Sequence, residues 1–118
     1  MPYMLLINEP RGQRQDRGLP DGQAVYARML EFTENLKARG LHMASDSLRS
    51  DNEAVRLTVR NGRQSVIDGP FTEAKEMVGG FFLLNCASRE EALAIAATCP
   101  AAEWATVEVR ETGPCYIP

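Results

Sequence analysis

Histidine is all but missing from this chain: one residue in 118, His42, leaves no histidine pair and no His-rich metal site. Cysteine is scarce too. Cys86, Cys99 and Cys115 are odd in number, widely spaced and without a C-x-x-C pairing, which argues against a disulfide framework and a zinc knuckle and points to a reducing cytoplasm. Excess positive charge is absent, since 13 Lys plus Arg face 16 Asp plus Glu for a net charge of −3, and a direct nucleic-acid partner is not expected. No apolar run reaches transmembrane length. The N-terminal run Tyr3 to Ile7 is too short for a signal h-region and lacks a basic start, so a soluble, intracellular protein with no membrane partner is expected. The length suits one domain, residues 1–118, with its own core.

Lysine is the rarer base, with two residues against eleven arginines, a bias that fits either anion recognition or genomic codon usage. Tyr3 to Ile7, closed by Asn8-Glu9-Pro10, reads as a buried first strand. Residues 11–20 are aperiodic, charged and Gly-containing. They read as an exposed loop whose three arginines either clamp an anion or are simply solvated. Asp21 is a plausible N-cap, after which Val25, Met29, Phe32 and Leu36 recur at helical spacing until Gly40 stops the helix. Leu41 to Leu48 is extended in character.

Ala54 to Arg60 alternates with period two, Asn61-Gly62 intervenes, and Arg63 to Ile67 resumes, which predicts a hairpin with a type I′ turn. A two-residue loop sets Arg60 opposite Arg63, Leu57 opposite Val66 and Val55 opposite Asp68. Gly80 to Cys86 is apolar on both faces, as a central strand should be. Ser88-Arg89-Glu90-Glu91 is a capping box opening a helix that Cys99-Pro100 ends. Trp104 to Arg110 alternates again, with Val107 and Val109 on one face and Trp104 on the other. The expected fold is therefore α+β, a ferredoxin-like β-α-β-β-α-β plan with an added hairpin. Two helices cover one face of such a sheet. The other face, assigned Trp104 and one side of the Phe81 to Leu84 run, calls for a partner, most simply a second copy.

Ile67-Asp68-Gly69-Pro70-Phe71-Thr72-Glu73-Ala74-Lys75-Glu76, with Gly79-Gly80 behind it, sets four ionisable side chains around a rigid turn. Together with Pro2-Tyr3-Met4-Leu5-Leu6-Ile7, Val59-Arg60-Asn61-Gly62 and Val107-Glu108-Val109-Arg110, it resembles the YCII-related proteins of the DGPF type over nearly the whole chain. The resemblance implies a dimeric α+β barrel, in a superfamily that includes small oxygenases, isomerases and dehalogenase-like enzymes with sites at the barrel mouth. It also implies a possible link to sigma-factor pathways, since some DGPF-type members are encoded beside, or fused to, extracytoplasmic-function sigma factors. In the YCII branch a histidine on the first helix and an aspartate are the proposed catalytic pair. Here the Asp21 to Arg39 helix has no histidine and presents Tyr26.

Two readings of the turn stay open. Asp68 either accepts hydrogen bonds from the Phe71 or Thr72 amide or is a half-buried acid facing a pocket. Lys75 and Glu76 form a local ion-pair network or act as base and anchor. Arg56 and Arg60 bind an acidic ligand if their face lines a cleft, and otherwise are cross-strand charges. Gly79-Gly80 reads as a tight approach to the central strand, too weak a signal for a phosphate loop. With His42 just past the helix stop, no Ser-His-Asp or Cys-His arrangement is expected, and neither a metal nor a haem or flavin cofactor. The expected function is binding of a small anionic molecule near Asp68, Glu73, Lys75 and Glu76, with Arg56, Arg60 and Tyr26 as further contacts and Asp68 and Glu73 as acid–base carboxylates. A non-catalytic dimeric interaction module is the alternative.

Overall fold

Apolar residues at every second position make Tyr3–Pro10 (β1) a strand with two different faces: Tyr3, Leu5, Ile7 and Glu9 are buried, while Met4, Leu6 and Asn8 are half-buried. The computed structural model describes residues 2–117. After β1 come α1 (Gln13–Arg17), α2 (Leu19–Ala38), β2 (His42–Ser47), β3 (Val55–Arg60), β4 (Arg63–Asp68), β5 (Glu76–Leu84), α3 (Arg89–Thr98) and β6 (Thr106–Glu111). Short 3-10 turns lie at Asp51–Glu53 and Pro100–Glu103.

The four long-range strands form an antiparallel sheet of order β2-β5-β1-β6, and β3 pairs with β4 alone. With β3–β4 as an insertion between β2 and β5, this is the expected ferredoxin-like α+β plan, the architecture of dimeric α+β barrels. The core lies on one face. Phe32 and Leu36 of α2 and Ala92, Ile95 and Ala96 of α3 cover Leu5, Ile7, Phe82 and Leu84. Phe32 meets Phe82 edge to face, centroids 5.2 Å apart. The opposite face, with Met4 beside Leu83 and Leu6 beside Phe81 in register, carries no helix.

The hairpin has the predicted register, Arg60 with Arg63, Leu57 with Val66 and Val55 with Asp68. Positive φ at Asn61 (51°) and Gly62 (74°) gives the expected turn. The predicted Ser88 cap is present, with its return bond shifted by one residue: the Ser88 hydroxyl accepts from the Glu91 amide at 3.1 Å, and the Glu91 carboxylate accepts from the amide of Ala87, just before the cap, at 2.9 Å.

Four local expectations are corrected. Residues 13–17 form a helical turn because their polar side chains are anchored to the body of the domain, an influence invisible to local periodicity. The long helix starts at Leu19, not after an Asp21 cap: Gly18, at φ 79°, turns the chain and Pro20 fits the first turn. β5 starts at Glu76, which pairs with Pro10, so Glu76 belongs to the sheet. Trp104 ends the second 3-10 turn and packs against the core instead of the uncovered face. No helix among the described residues is long and apolar enough to cross a membrane.

Candidate functional site

The Asp-Gly-Pro-Phe turn folds back over the 51–53 turn, and that contact decides what its residues do. The Gly69 amide donates to the Ala54 carbonyl at 2.7 Å, and a Cβ on Gly69 would fall 1.9 Å from the Asp51 carbonyl oxygen, so only glycine fits. The Phe71 amide donates to Asp51 Oδ2 at 3.3 Å. Asp51, not Asp68, is thus the carboxylate that holds the turn. Asp68 ends β4 exposed, on the side of the hairpin shared with Val55, Leu57 and Val66, so the half-buried acid is not found. Glu73 is exposed and pairs with Arg56 at 3.2 Å, while the Arg56 guanidinium lies 3.7 Å from the centroid of the buried Phe71 ring. Arg60 is exposed on the same side of β3 as Arg56, and Lys75 is exposed too. No ion pair joins Lys75 to Glu76.

What the turn supports is the segment that leads from β1 into α1. The Arg11 amide donates to the Lys75 carbonyl at 3.0 Å, and Arg11 Nε donates to the Ala74 carbonyl at 2.7 Å. The Arg11 guanidinium also grips both oxygens of Asp51, at 2.8 and 2.5 Å. Hydrogen bonds from Arg11 hold the Asp51 carboxyl below its usual range; partial burial opposes this and the Phe71 amide adds to it. Two residues on, Gln13 Nε2 donates to the Trp104 carbonyl at 2.7 Å. Arg14 then grips the buried Glu9, Nε to Oε2 at 2.9 Å and Nη2 to Oε1 at 2.6 Å, and Nη1 donates to the Leu48 carbonyl at 2.9 Å. Arg17 lies 5.4 Å from the Trp104 ring, which Arg28 of α2 also approaches, at 5.5 Å.

Above this floor, the N-terminal half of α2 stands off the sheet. Its buried residues, Phe32 and Leu36, are both in the C-terminal half, whereas the strands beneath the other half present Gly79, Gly80, Ser45 and Ser47. Little side chain is available there to fill the space, and a cleft of about 980 Å³ remains. Ile7, Phe82, Val25 and Met29 make its apolar lining, Tyr26 and Trp104 its aromatic walls, and Glu9, Arg14 and Arg17 its charged end. The volume is within the ~300–1,000 Å³ of small-molecule sites. Gly79 leaves room for this pair: an added Cβ would sit 1.7 Å from Glu9 Oε1 and 2.9 Å from Arg14 Nη2.

Of the residues singled out in the sequence, Tyr26 lines this cleft and the turn residues do not. Sequence reading missed Glu9, Ser45 and Trp104, but offers an anion clamp as one reading of Arg14 and Arg17. Two signals pointed there: the arginines of residues 11–17, and Gly-Gly inside a strand, a mark of close approach. His42 has a local partner. It lies in β2, half-buried, and its Nε2 is 2.7 Å from Ser45 Oγ, so a Ser–His contact does exist.

Comparisons with known proteins agree with this architecture. The chain is similar to 5-chloro-2-hydroxyhydroquinone dehydrochlorinase (TftG) from Burkholderia phenoliruptrix AC1100, solved in complex with 2,5-dihydroxybenzoquinone. The TM-score is 0.55 at 19% identity, covering 96% of this chain and 94% of that one. Uncharacterized protein R00369 of Rhizobium meliloti (strain 1021) is 56% identical over 32 residues, 27% of this chain and only 26% of that protein's length. The model of the YCII-related domain matches residues 1–114, and with nearly its full length so matched this chain belongs to the YCII-related family.

Proposed function

We propose that this protein binds a small anionic molecule, planar enough to lie between Tyr26 and Trp104, in the cleft beneath α2. One observation carries the reading: spare guanidinium donors on Arg14 and the unpaired charge of Arg17 at one end of the cleft. Arg14 has five N–H donors and uses three on Glu9 and Leu48, which leaves two. Arg17 has no carboxylate partner among the described residues. A guanidinium on an aromatic ring beside a second guanidinium suits a flat oxyanion, such as an arenecarboxylate or a hydroxyquinone. The hydroxyquinone held by the structurally similar dehydrochlorinase is a compound of this kind, which supports the choice of probe.

The competing location is the Asp-Gly-Pro-Phe turn, with Asp68, Glu73, Lys75, Arg56 and Arg60 around the ligand. A thermal-shift titration with 2,5-dihydroxybenzoquinone separates the two. Stabilisation of wild type and Asp68→Asn, with loss in Arg17→Gln, supports the cleft; loss in Asp68→Asn alone moves the site to the turn. A ligand at a hundred times its Kd adds about 2.7 kcal/mol, an easily read shift.

The interaction-module reading rests on the hairpin. Val55, Leu57, Val59 and Val66 are 54–57% exposed on one side of an isolated two-stranded sheet, an arrangement that is marginal without a partner. A homodimer that covers the helix-free sheet face and these residues serves both readings, and a sigma-factor pathway component is a further candidate partner. Sedimentation of wild type and Leu57→Asp tests it: a dimer that the variant dissociates supports the role, and a monomeric wild type ends it.

A further inference from the structure

The edge strand β2 carries a bulge between His42 and Ala44, and the bulge changes what that strand presents. Residues three apart on a regular strand point to opposite faces. Here one residue is skipped in the register, so His42 stands opposite Leu84 and Ser45 opposite Phe82, both partners buried on the helix-covered side. The side chains consequently meet, His42 Nε2 to Ser45 Oγ at 2.7 Å, and Ser45 borders the cleft. We propose that Ser45 and His42 form a proton relay for a ligand with an acidic hydroxyl, a phenol or enol whose conjugate base is the anion that Arg14 and Arg17 receive.

Ser45 is the group that meets the ligand, and His42 is the positioning residue behind it. The ligand O–H bond breaks as its proton passes to Ser45 Oγ, and the Ser45 proton passes to His42 Nε2. One O–H bond is replaced by one N–H bond, nothing is oxidised, and an oxyanion and an imidazolium remain. The reaction class is proton abstraction from a hydroxyl, which primes an aromatic or enolic ring for loss or gain of a substituent. The other charged groups around the cleft are Asp46 on β2 itself, Glu34 and Lys37 on α2, Arg49, and the Glu9–Arg14 pair. Of these, Lys37 pairs with Glu34, Arg49 with Glu53, and one Asp46 oxygen accepts from the Ser47 amide.

This inference rests on the anion-binding reading of the cleft, and the experiment keeps the two apart. The probe is 3-nitrophenol, whose phenolate absorbs in the visible and whose phenol does so only weakly, at neutral pH, where the free compound is mainly phenol and a histidine side chain can still accept a proton. Binding is followed by tryptophan quenching and protonation by visible absorbance, for wild type, His42→Gln, Ser45→Ala and Arg17→Gln. Wild type is expected to hold the probe as phenolate. His42→Gln and Ser45→Ala should still bind it, with a phenolate-to-phenol ratio lower by about tenfold, one pK unit. Equal colour in these variants and wild type, or a colourless complex in wild type, overturns the relay while the cleft reading stands. No binding to wild type removes the cleft reading, and the relay with it.

Discussion

Arg11 and Asp51, forty residues apart in sequence, are joined by two side-by-side hydrogen bonds that tie the chain after β1 to the turn before β3. A bidentate pair of this kind fixes orientation as well as distance. The Asp51 carboxyl also receives the Phe71 amide, so one side chain connects the segment after β1, the 51–53 turn and the Asp-Gly-Pro-Phe turn.

The first prediction concerns acid. Because Arg11 holds the folded-state Asp51 carboxyl below its unfolded value, the pair stabilises the protein above that unfolded value, near pH ~4. The contribution is lost as pH falls from there through the lower folded value. Asp51→Asn removes the ionisable group. The gap in Tm between wild type and Asp51→Asn should therefore be constant from neutral pH to about 5 and narrow below about 4. A gap of the same size at all pH values would contradict the assignment.

Two glycines predict opposite signs for one substitution. Gly79→Ala drives a methyl into the Glu9 carboxylate and its Arg14 partner, and should cost about 1–3 kcal/mol, as overpacking does. Gly22, within α2, has nothing within 4 Å of the added Cβ, so Gly22→Ala should gain about 0.4–1 kcal/mol by restricting the unfolded chain. Urea unfolding of both variants measures the pair, and a gain for Gly79→Ala would show that the carboxylate moves aside without cost.

The fold was legible wherever the signal was local. Asn61-Gly62 between alternating strands gave the hairpin to the residue, and Ser88 with Glu91 gave the start of α3. The site was legible only in part, because what makes it is non-local. Nothing near Arg14 in sequence announces that Glu9 is buried, or that Gly79 from another strand clears space for both. Asp68 drew attention as the first residue of a turn, yet the acceptor for Phe71 comes from Asp51, which sequence proximity could not supply. The His42–Ser45 contact depends on a bulge, and neither residue type betrays one.

The three cysteines should separate by accessibility. Cys86 and Cys99 are buried, and burial pushes both thiols up, which makes thiolate scarce. Cys115 is exposed in the C-terminal tail. An excess of maleimide on native protein should label one site, mapped by peptide mass to Cys115, with the other two reacting only after denaturation. Rapid native labelling of Cys86 would mean that the end of β5 opens readily.

The Glu9–Arg14 pair should show strong coupling. Arg14→Gln leaves a buried carboxylate without its two charged hydrogen bonds, and Glu9→Gln leaves the guanidinium without its counter-charge; hydrogen bonds to charged groups are worth about 1.5–3 kcal/mol. In the double variant two neutral amides replace the pair, so its loss should be smaller than the sum of the single losses, by about 1–3 kcal/mol for neighbours of this kind. Denaturant melts of the four proteins give that difference. Additive losses would mean that the two side chains contribute independently, each through its own surroundings and not through the pair.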